Sequence, residues 1–468
     1  MVSVSLPSQI PLAQQAQVIV VGGGPGGIGA AVAAARQGAD VLLVEHYGFL
    51  GGMATAGEVN PFMPNHLNGK SLDTGIFEEW VDRMSSYGGV RPGSRVFDPH
   101  IARLAAEDLC VEAGVRLLYH HRAVHVETAD RRIETVVLHS KGGLTAARAD
   151  IWIDSTGDGD LAALAGCEFH FGSETSGHAQ PMTLCFKLKL NRNDLPEDLR
   201  DQPAFQAIKQ FRQQIEDAYQ RGKQDGRIEC PRENVLLFPS VEDDVIHFNT
   251  TRVIRKSAVD GRQLSEAEIE ARRQLRQIWK VLADEVPIFR NSRIYSIAPQ
   301  IGVRESRRIV GRAWLTLEDY QQARTFEDAV ARVTYPVDIH NPDGTGTHIV
   351  HLPKGKWYEI PWGCLLPKDI DNMAIASRCI SADHAVHSSL RVMPPVCSIG
   401  QAAGTAAGMA IRNKIDVCQV DGRELRQNLI AQGRHLGPEE TPTDGEETPA
   451  QQAARVQRSK AAAKTFSA

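Results

Sequence analysis

Two groups of residues in this 468-residue chain have the types and spacing to do chemistry. The first is Gly22, Gly24 and Gly27 in VIVVGGGPGGIGAA, a G-x-G-x-x-G that follows an apolar run and opens an alanine-rich stretch. In such a turn Gly22 lets the backbone leave its strand sharply, Gly24 lets it approach a pyrophosphate, and Gly27 lets the helix pack closely on the sheet. Free N–H groups at the helix start then hold the phosphates. Glu45 follows Gly27 by 18 residues, at the end of the next apolar run. A carboxylate there takes a ribose hydroxyl pair and repels a 2′-phosphate. Glycines alone would also suit a purely structural turn; the strand before, the helix after and the acid at this distance favour a dinucleotide. The second group is Arg378, Asp383, His384, His387 and Arg391. A histidine titrates near neutral pH and takes a proton from a hydroxyl or C–H, while an arginine forks onto a carboxylate. The structural alternative for each histidine is a hydrogen-bonded loop residue.

The segments that follow separate FAD from NAD. After Glu45 the sequence reads HYGFLGGMATAG, with Gly51 and Gly52 followed by small residues, and IDSTGDGDLAALAG later adds Gly157 and Gly159 around Asp158. An NAD domain needs no second glycine-rich pass, whereas a flavin needs backbone approach along its whole length. FAD is therefore the expected cofactor. Its expected contacts are Gly22, Gly24, Gly27, Glu45, Gly51, Gly52, Met53, Ala54, Val124, Gly157, Asp158 and Gly400. A second G-x-G-x-x-G near the middle of the sequence, a C-x-x-C pair, a G-x-S-x-G elbow and a P-loop lysine are all missing. This counts against NAD(P)H-dependent two-domain reductases, disulfide reduction, acyl transfer and ATP chemistry. His348 and His351 read as strand residues on opposite faces, so no metal is expected.

The stretches VVGGGPGGIGAAVAAARQGADVLLVE, GFLGGMATAG, IDSTGDGDLAALAG, IGVRESRRIVG, YEIPWGCLLP and NMAIASRCISADHAVHSSLRVMPPVCSIGQAAGTAAGMA run in order from residue 18 to about 410. With them the protein resembles a bacterial family of FAD-dependent oxidoreductases of the glutathione-reductase type, distantly related to fumarate reductase flavoproteins. The resemblance implies that the last stretch returns to the FAD domain and sets a helix, starting near Pro395, with its N-terminus by the flavin. A helix N-terminus stabilises the anionic charge of reduced flavin. The resemblance also turns the loop bearing Arg378, His384, His387 and Arg391 toward the ring, so these four are the expected catalytic residues. Flavin carries the hydride, received at N5. Arg304, Glu305, Arg307 and Arg308 read as a solvated face or structural ion pairs, with an arginine reaching substrate as the alternative. Tyr358 is a candidate to close the pocket; Asp338 and His340 are weaker candidates.

These groups need elements to hold them. The pattern predicts a strand, turn, helix and strand over residues 17–45, then a helix capped by Asp98 with Pro99 at its first position and ending at Gly114. Strands follow at 115–118, 123–128, 133–139 and 151–153. Residues 171 to 360 change character and hold a long charged helix near 265–285; apolar, small-residue texture returns at 361–430. The fold class expected is α/β, a Rossmann-type FAD-binding domain over 16–170 and 361–430, interrupted by an α+β substrate cap at 171–360. Residues 434–468 read as a disordered tail. Hydrophobic residues make up 42%, charged residues 23% and the net charge is −5. This excludes a strong field for nucleic acid or anionic membrane and leaves a small molecule as the partner. No apolar run approaches membrane-spanning length. The eight scattered cysteines and the absence of a signal-like opening point to the cytoplasm. A homo-oligomer is left open.

The function expected is oxidation of a small polar or acidic organic molecule, with electrons passed to oxygen, a quinone or a carrier protein. Alternatives are an enoyl reductase using a cap arginine, and a flavoprotein that uses FAD structurally or for redox-neutral chemistry. No motif supports a covalent flavin tether, at His46 or elsewhere.

Overall fold

In the computed structural model, which describes residues 9–437, the apolar run Val18–Val21 is the buried end of a strand, Leu12–Val21. Val18, Ile19 and Val20 are wholly buried because parallel strands flank them. Val18 lies opposite Val41 of Val41–Val44 on one side and opposite Ile151 of Gly143–Asp154 on the other. Unbroken apolar strands are what a sheet covered on both faces requires. Arg116–Leu118 pairs in parallel with Val41–Val44, and Met373–Ile375 with the end of Gly143–Asp154. The start of Gly143–Asp154 instead joins an antiparallel ladder with Arg132–Ser140, which pairs with Arg122–Ala129. The backbone leaves the first strand to one side and returns on the other, which is the Rossmann arrangement with its crevice at the strands' carboxyl ends. The fold is therefore α/β with a Rossmann-type core.

One face of this sheet is covered by Pro25–Arg36, and that helix packs in turn on Met393–Asn413. The approach is close: a Cβ on Gly400 would lie 2.0 Å from the Gly26 carbonyl oxygen, and one on Gly404 2.0 Å from that of Ala30. The small-residue run after Pro395 thus serves helix-on-helix contact. Pro99–Glu112 forms as the cap predicts, with Asp98 Oδ1 accepting from the N–H of His100 at 2.7 Å. The long charged helix starts earlier than expected, as Gly261–Glu285, because Asp260 caps it by accepting from Arg262 and Gln263.

Two buried clusters divide the interior. The first gathers residues 18–167 and 309–436, and the second gathers 182–303 around a four-stranded antiparallel sheet. Residues 309–360, grouped by composition with the 171–360 stretch, contribute their side chains to the first cluster. Of the expected tail, Leu436 is buried and Arg434 donates to the Thr74 carbonyl, while residues 438–468 lie outside the described residues. Among the described residues no helix is long and apolar enough to cross a membrane, and no group of three or more His, Cys, Asp or Glu is placed to hold a metal.

Candidate active site

A cavity of about 690 Å³ opens at the carboxyl ends of the parallel strands. Val21, Gly22, Gly24, Pro25 and Gly26 form one wall. Gly22 has φ +102°, and a Cβ there would sit 2.4 Å from the Ser155 carbonyl oxygen, so only glycine makes the turn at this point. No side chain caps the start of Pro25–Arg36, which leaves the N–H groups of its first turn for a ligand. Gly27 lies behind the wall, packed against the Gly22 carbonyl. Glu45 is buried at the rim, its carboxylate accepting from Gly23 N–H at 2.6 Å and Tyr47 N–H at 2.9 Å. Gly52 and Met53 line the cavity, while Gly51 and Ala54 shape the loop from behind. Gly51 does so by donating to the Gly23 carbonyl. Beside Gly22, at the end of the neighbouring strand, Ser155, Thr156, Gly157 and Asp158 continue the wall. Behind them Asp154 accepts from Thr156 and Ala162, and burial pushes its carboxyl up to about 6.

Two of the expected cofactor contacts lie elsewhere. Val124 is 41% exposed, and His121, Arg122 and Ala123 line the cavity instead. The ladder with Arg132–Ser140 shifts register between Ala123 and His125, so Val124 stands at a bulge and its side chain faces out. Gly400 is held against Gly26 by the helix contact described above. The return helix begins at Met393, and Val392, Met393 and Val396 present its first turn to the cavity.

The other end of the cavity is charged. Arg304 donates to the Pro181 carbonyl and to Thr183 Oγ1, both at 2.7 Å. Burial, then the guanidinium groups of Arg391, Arg232 and Arg252, push Arg304 down to about 9. Arg391 donates at 3.3 Å to Gln180 Oε1 and at 3.4 Å to the Asp338 carbonyl, and its buried Nε has no partner. Asp338 and His340 sit two residues apart on Val337–His340, so both face the cavity. His340 Nε2 is 3.5 Å from Asp338 Oδ2, to which Tyr335 donates at 3.3 Å. Burial first, then Arg304, push His340 down to about 3, so its ring is neutral at pH 7. Burial pushes the Asp338 carboxyl up, but His340, Arg391 and Arg304 outweigh it and hold it well below the usual carboxylate range. Arg378 lines the cavity too, its guanidinium over Gly157 and paired with Asp158.

The two expected catalytic histidines are not on this wall. His384 gives its Nδ1 to Glu305 at 2.8 Å and borders a separate shallow pocket with His170, Glu174 and Trp314. His387 is wholly buried and neither ring nitrogen has a hydrogen-bond partner; desolvation and nearby guanidinium groups hold its pKa far down. Both sit on the short helix His384–Leu390, whose turn points them into the protein interior. Tyr358 is likewise buried, bonded to Ser389 rather than closing the pocket. The charged cluster divides as its alternatives did. Arg304 and Arg307 reach the cavity, while Arg308 is buried in an ion pair with Glu305. Asp338 and His340 gain most by the folding, and the signal for them was their i, i+2 spacing in an apolar strand.

The wall runs unbroken from Glu45, over an uncapped helix start and glycine backbone, to the first turn of the return helix. That fits an extended dinucleotide with a ring at the charged end. The sequence profile described as FAD dependent oxidoreductase matches residues 17–429. Among solved structures the protein is similar to a geranylgeranyl bacteriochlorophyll reductase-like protein of Thermoplasma acidophilum. That match has 12% identity, 90% of this chain and 85% of that one covered, and a TM-score of 0.45. It is also similar to the anhydrotetracycline hydroxylase of Streptomyces rimosus (12%, 90% and 69%, TM-score 0.43). A third is a myxobacterial chondrochloren halogenase (14%, 96% and 90%, TM-score 0.42). No curated protein sequence matches.

Proposed function

From the premise that this protein belongs to the FAD-dependent oxidoreductase family, we propose that it oxidises a small organic acid by hydride transfer to the flavin, passing the electrons to oxygen, a quinone or a carrier protein. Bound FAD supplies the two-electron chemistry. The observation that carries the substrate class is the meeting of Arg304 and Arg391 with Asp338 and His340 on one wall. Arg391 lines the cavity and spends its Nη2 only on long contacts, 3.3 Å to Gln180 Oε1 and 3.4 Å to the Asp338 carbonyl, so its guanidinium can take a substrate carboxylate. Arg304, fixed by Thr183 and Pro181, supplies the second cation. Asp338 then takes the proton from the substrate hydroxyl or amine, while His340, its Nδ1 accepting from Arg252 and its Nε2 facing Asp338 Oδ2 at 3.5 Å, holds the carboxylate in place. His340, Arg391 and Arg304 hold the proton affinity of Asp338 down, so a substrate carboxylate seated on the two arginines raises it.

The test is an anaerobic absorbance titration of the FAD-loaded protein with hydroxy and amino acids, followed by admission of air. Bleaching of the flavin band by an acid is the expected result, and the rate of recovery in air separates oxidase from dehydrogenase. In Arg391→Met the KM for that acid rises about 10- to 100-fold with FAD content unchanged, since a hydrogen bond to a charged group is lost. A substrate oxidised equally well as its methyl ester would sink the acid assignment. The enoyl reductase reading keeps one observation in its favour, the presence of Arg304 and Arg307 on the cavity wall. Reduced viologen consumed by an unsaturated acid, with no bleaching by any saturated one, would establish it instead.

A further inference from the structure

The charged end of the cavity faces an apolar wall that the acid-binding reading leaves unused. It comes from the underside of the four-stranded sheet and from the start of the long helix: Leu236, Phe238, Ala258, Val259 and Leu264. The strand Leu237–Pro239 explains the placement. Leu237 points into the second core, so its neighbours Leu236 and Phe238 point the other way, into the cavity. All five are partly buried, and what they still expose lines the cavity. Two polar side chains, Thr183 and Asn249, border this wall. Thr183 spends its hydroxyl on Arg304 and the Thr251 carbonyl, and Asn249 stands beside Leu236, donating its backbone N–H to the Leu236 carbonyl. The same threonine ties the apolar wall to the cation.

A substrate that was polar throughout would leave this wall facing water inside a covered cavity. Large apolar surface is kept unburied within a fold where an apolar ligand covers it. We infer that the substrate is an amphipathic carboxylate, its anionic head on Arg304 and Arg391 and an aliphatic or aromatic body against Leu236, Phe238, Val259 and Leu264. The inference rests on the acid-binding reading above and narrows it.

The experiment uses the full-length protein loaded with FAD and measures binding of straight-chain carboxylates from butyrate to decanoate by calorimetry, with succinate as the polar comparison. Affinity rises about fourfold per methylene where each is buried. Phe238→Ser and Leu236→Ser flatten that slope with FAD content unchanged. Either variant suffices if the other fails to fold. Arg391→Met weakens binding of all the carboxylates alike. A slope near zero, or succinate binding more tightly than octanoate, overturns the amphipathic class and leaves the acid-binding reading standing. Octanol binding as tightly as octanoate overturns both.

Discussion

Around Gly22 the cavity wall is nearly continuous backbone, whereas around Arg304 it is side chains brought from segments far apart. The first wall works by leaving atoms out, since a methyl group in the wrong place collides with a carbonyl. The second works by the charges its side chains carry, and its backbone tolerates exchange. Loss of cofactor and loss of chemistry should therefore separate cleanly by region. Gly22→Val gives the largest effect. Its Cβ would lie 2.4 Å from the Ser155 carbonyl oxygen at a φ of +102°, so bound FAD is lost together with most of the folded protein. Flavin absorbance per mole of protein measures it, and a Gly22→Val protein with its full complement of FAD would break the comparison.

An intermediate effect comes from Asp73, behind the return helix. Burial pushes its carboxyl up to about 6, while Ser398 of that helix donates to it at 2.7 Å. The native state therefore binds this proton more tightly than the unfolded state does. The stability it contributes is complete below about pH 4 and is lost as pH rises through 6. Asp73→Asn stays neutral throughout. The free-energy difference between variant and wild type accordingly moves in the variant's favour by on the order of 3 kcal/mol between pH 4 and 7. Urea midpoints at the two pH values check this, and a pH-independent difference would refute it. The smallest effects sharpen the assignment of chemistry. His384→Leu removes one contact of Glu305, which keeps its pair with Arg308 and the bond from Gln180 N–H, and costs about 1 kcal/mol of stability with kcat little changed. His387→Leu removes two unpartnered nitrogens and leaves stability level or higher. A collapse of kcat in either variant, with FAD and fold intact, would return the proton transfer to that helix.

The contrast also explains what the sequence revealed before folding. Gly22, Gly24, Gly27 and Glu45 act within one strand–turn–helix–strand unit, where spacing along the backbone is nearly spacing in space. Asp98 and Pro99 announced a helix for the same reason. His384 and His387 stood in the most chemically suggestive stretch, but which side of a seven-residue helix meets the cavity depends on packing partners such as Val337–His340 and Leu317–Gln321, tens of residues away. Arg304 and Glu305 are neighbours in sequence and face opposite surroundings, one the cavity and the other a buried ion pair. Composition cannot divide such a pair. Ala123 in place of Val124 is an error of one residue, and the bulge at Val124 makes it an error of face.

The meeting of Gly26 with Gly400 has a further consequence, in time rather than in space. The helix Pro25–Arg36 is made well before its partner, since its small-residue face is covered by a helix about 370 residues later. At ribosomal speeds of 5–20 residues per second, that partner arrives roughly 20–75 s afterwards. Until then the nucleotide-binding half is an unfinished surface with its alanines open to water. Synthesis of this protein should therefore lean on chaperones holding an incomplete half, and release of that half should follow emergence of Met393–Asn413 from the ribosome.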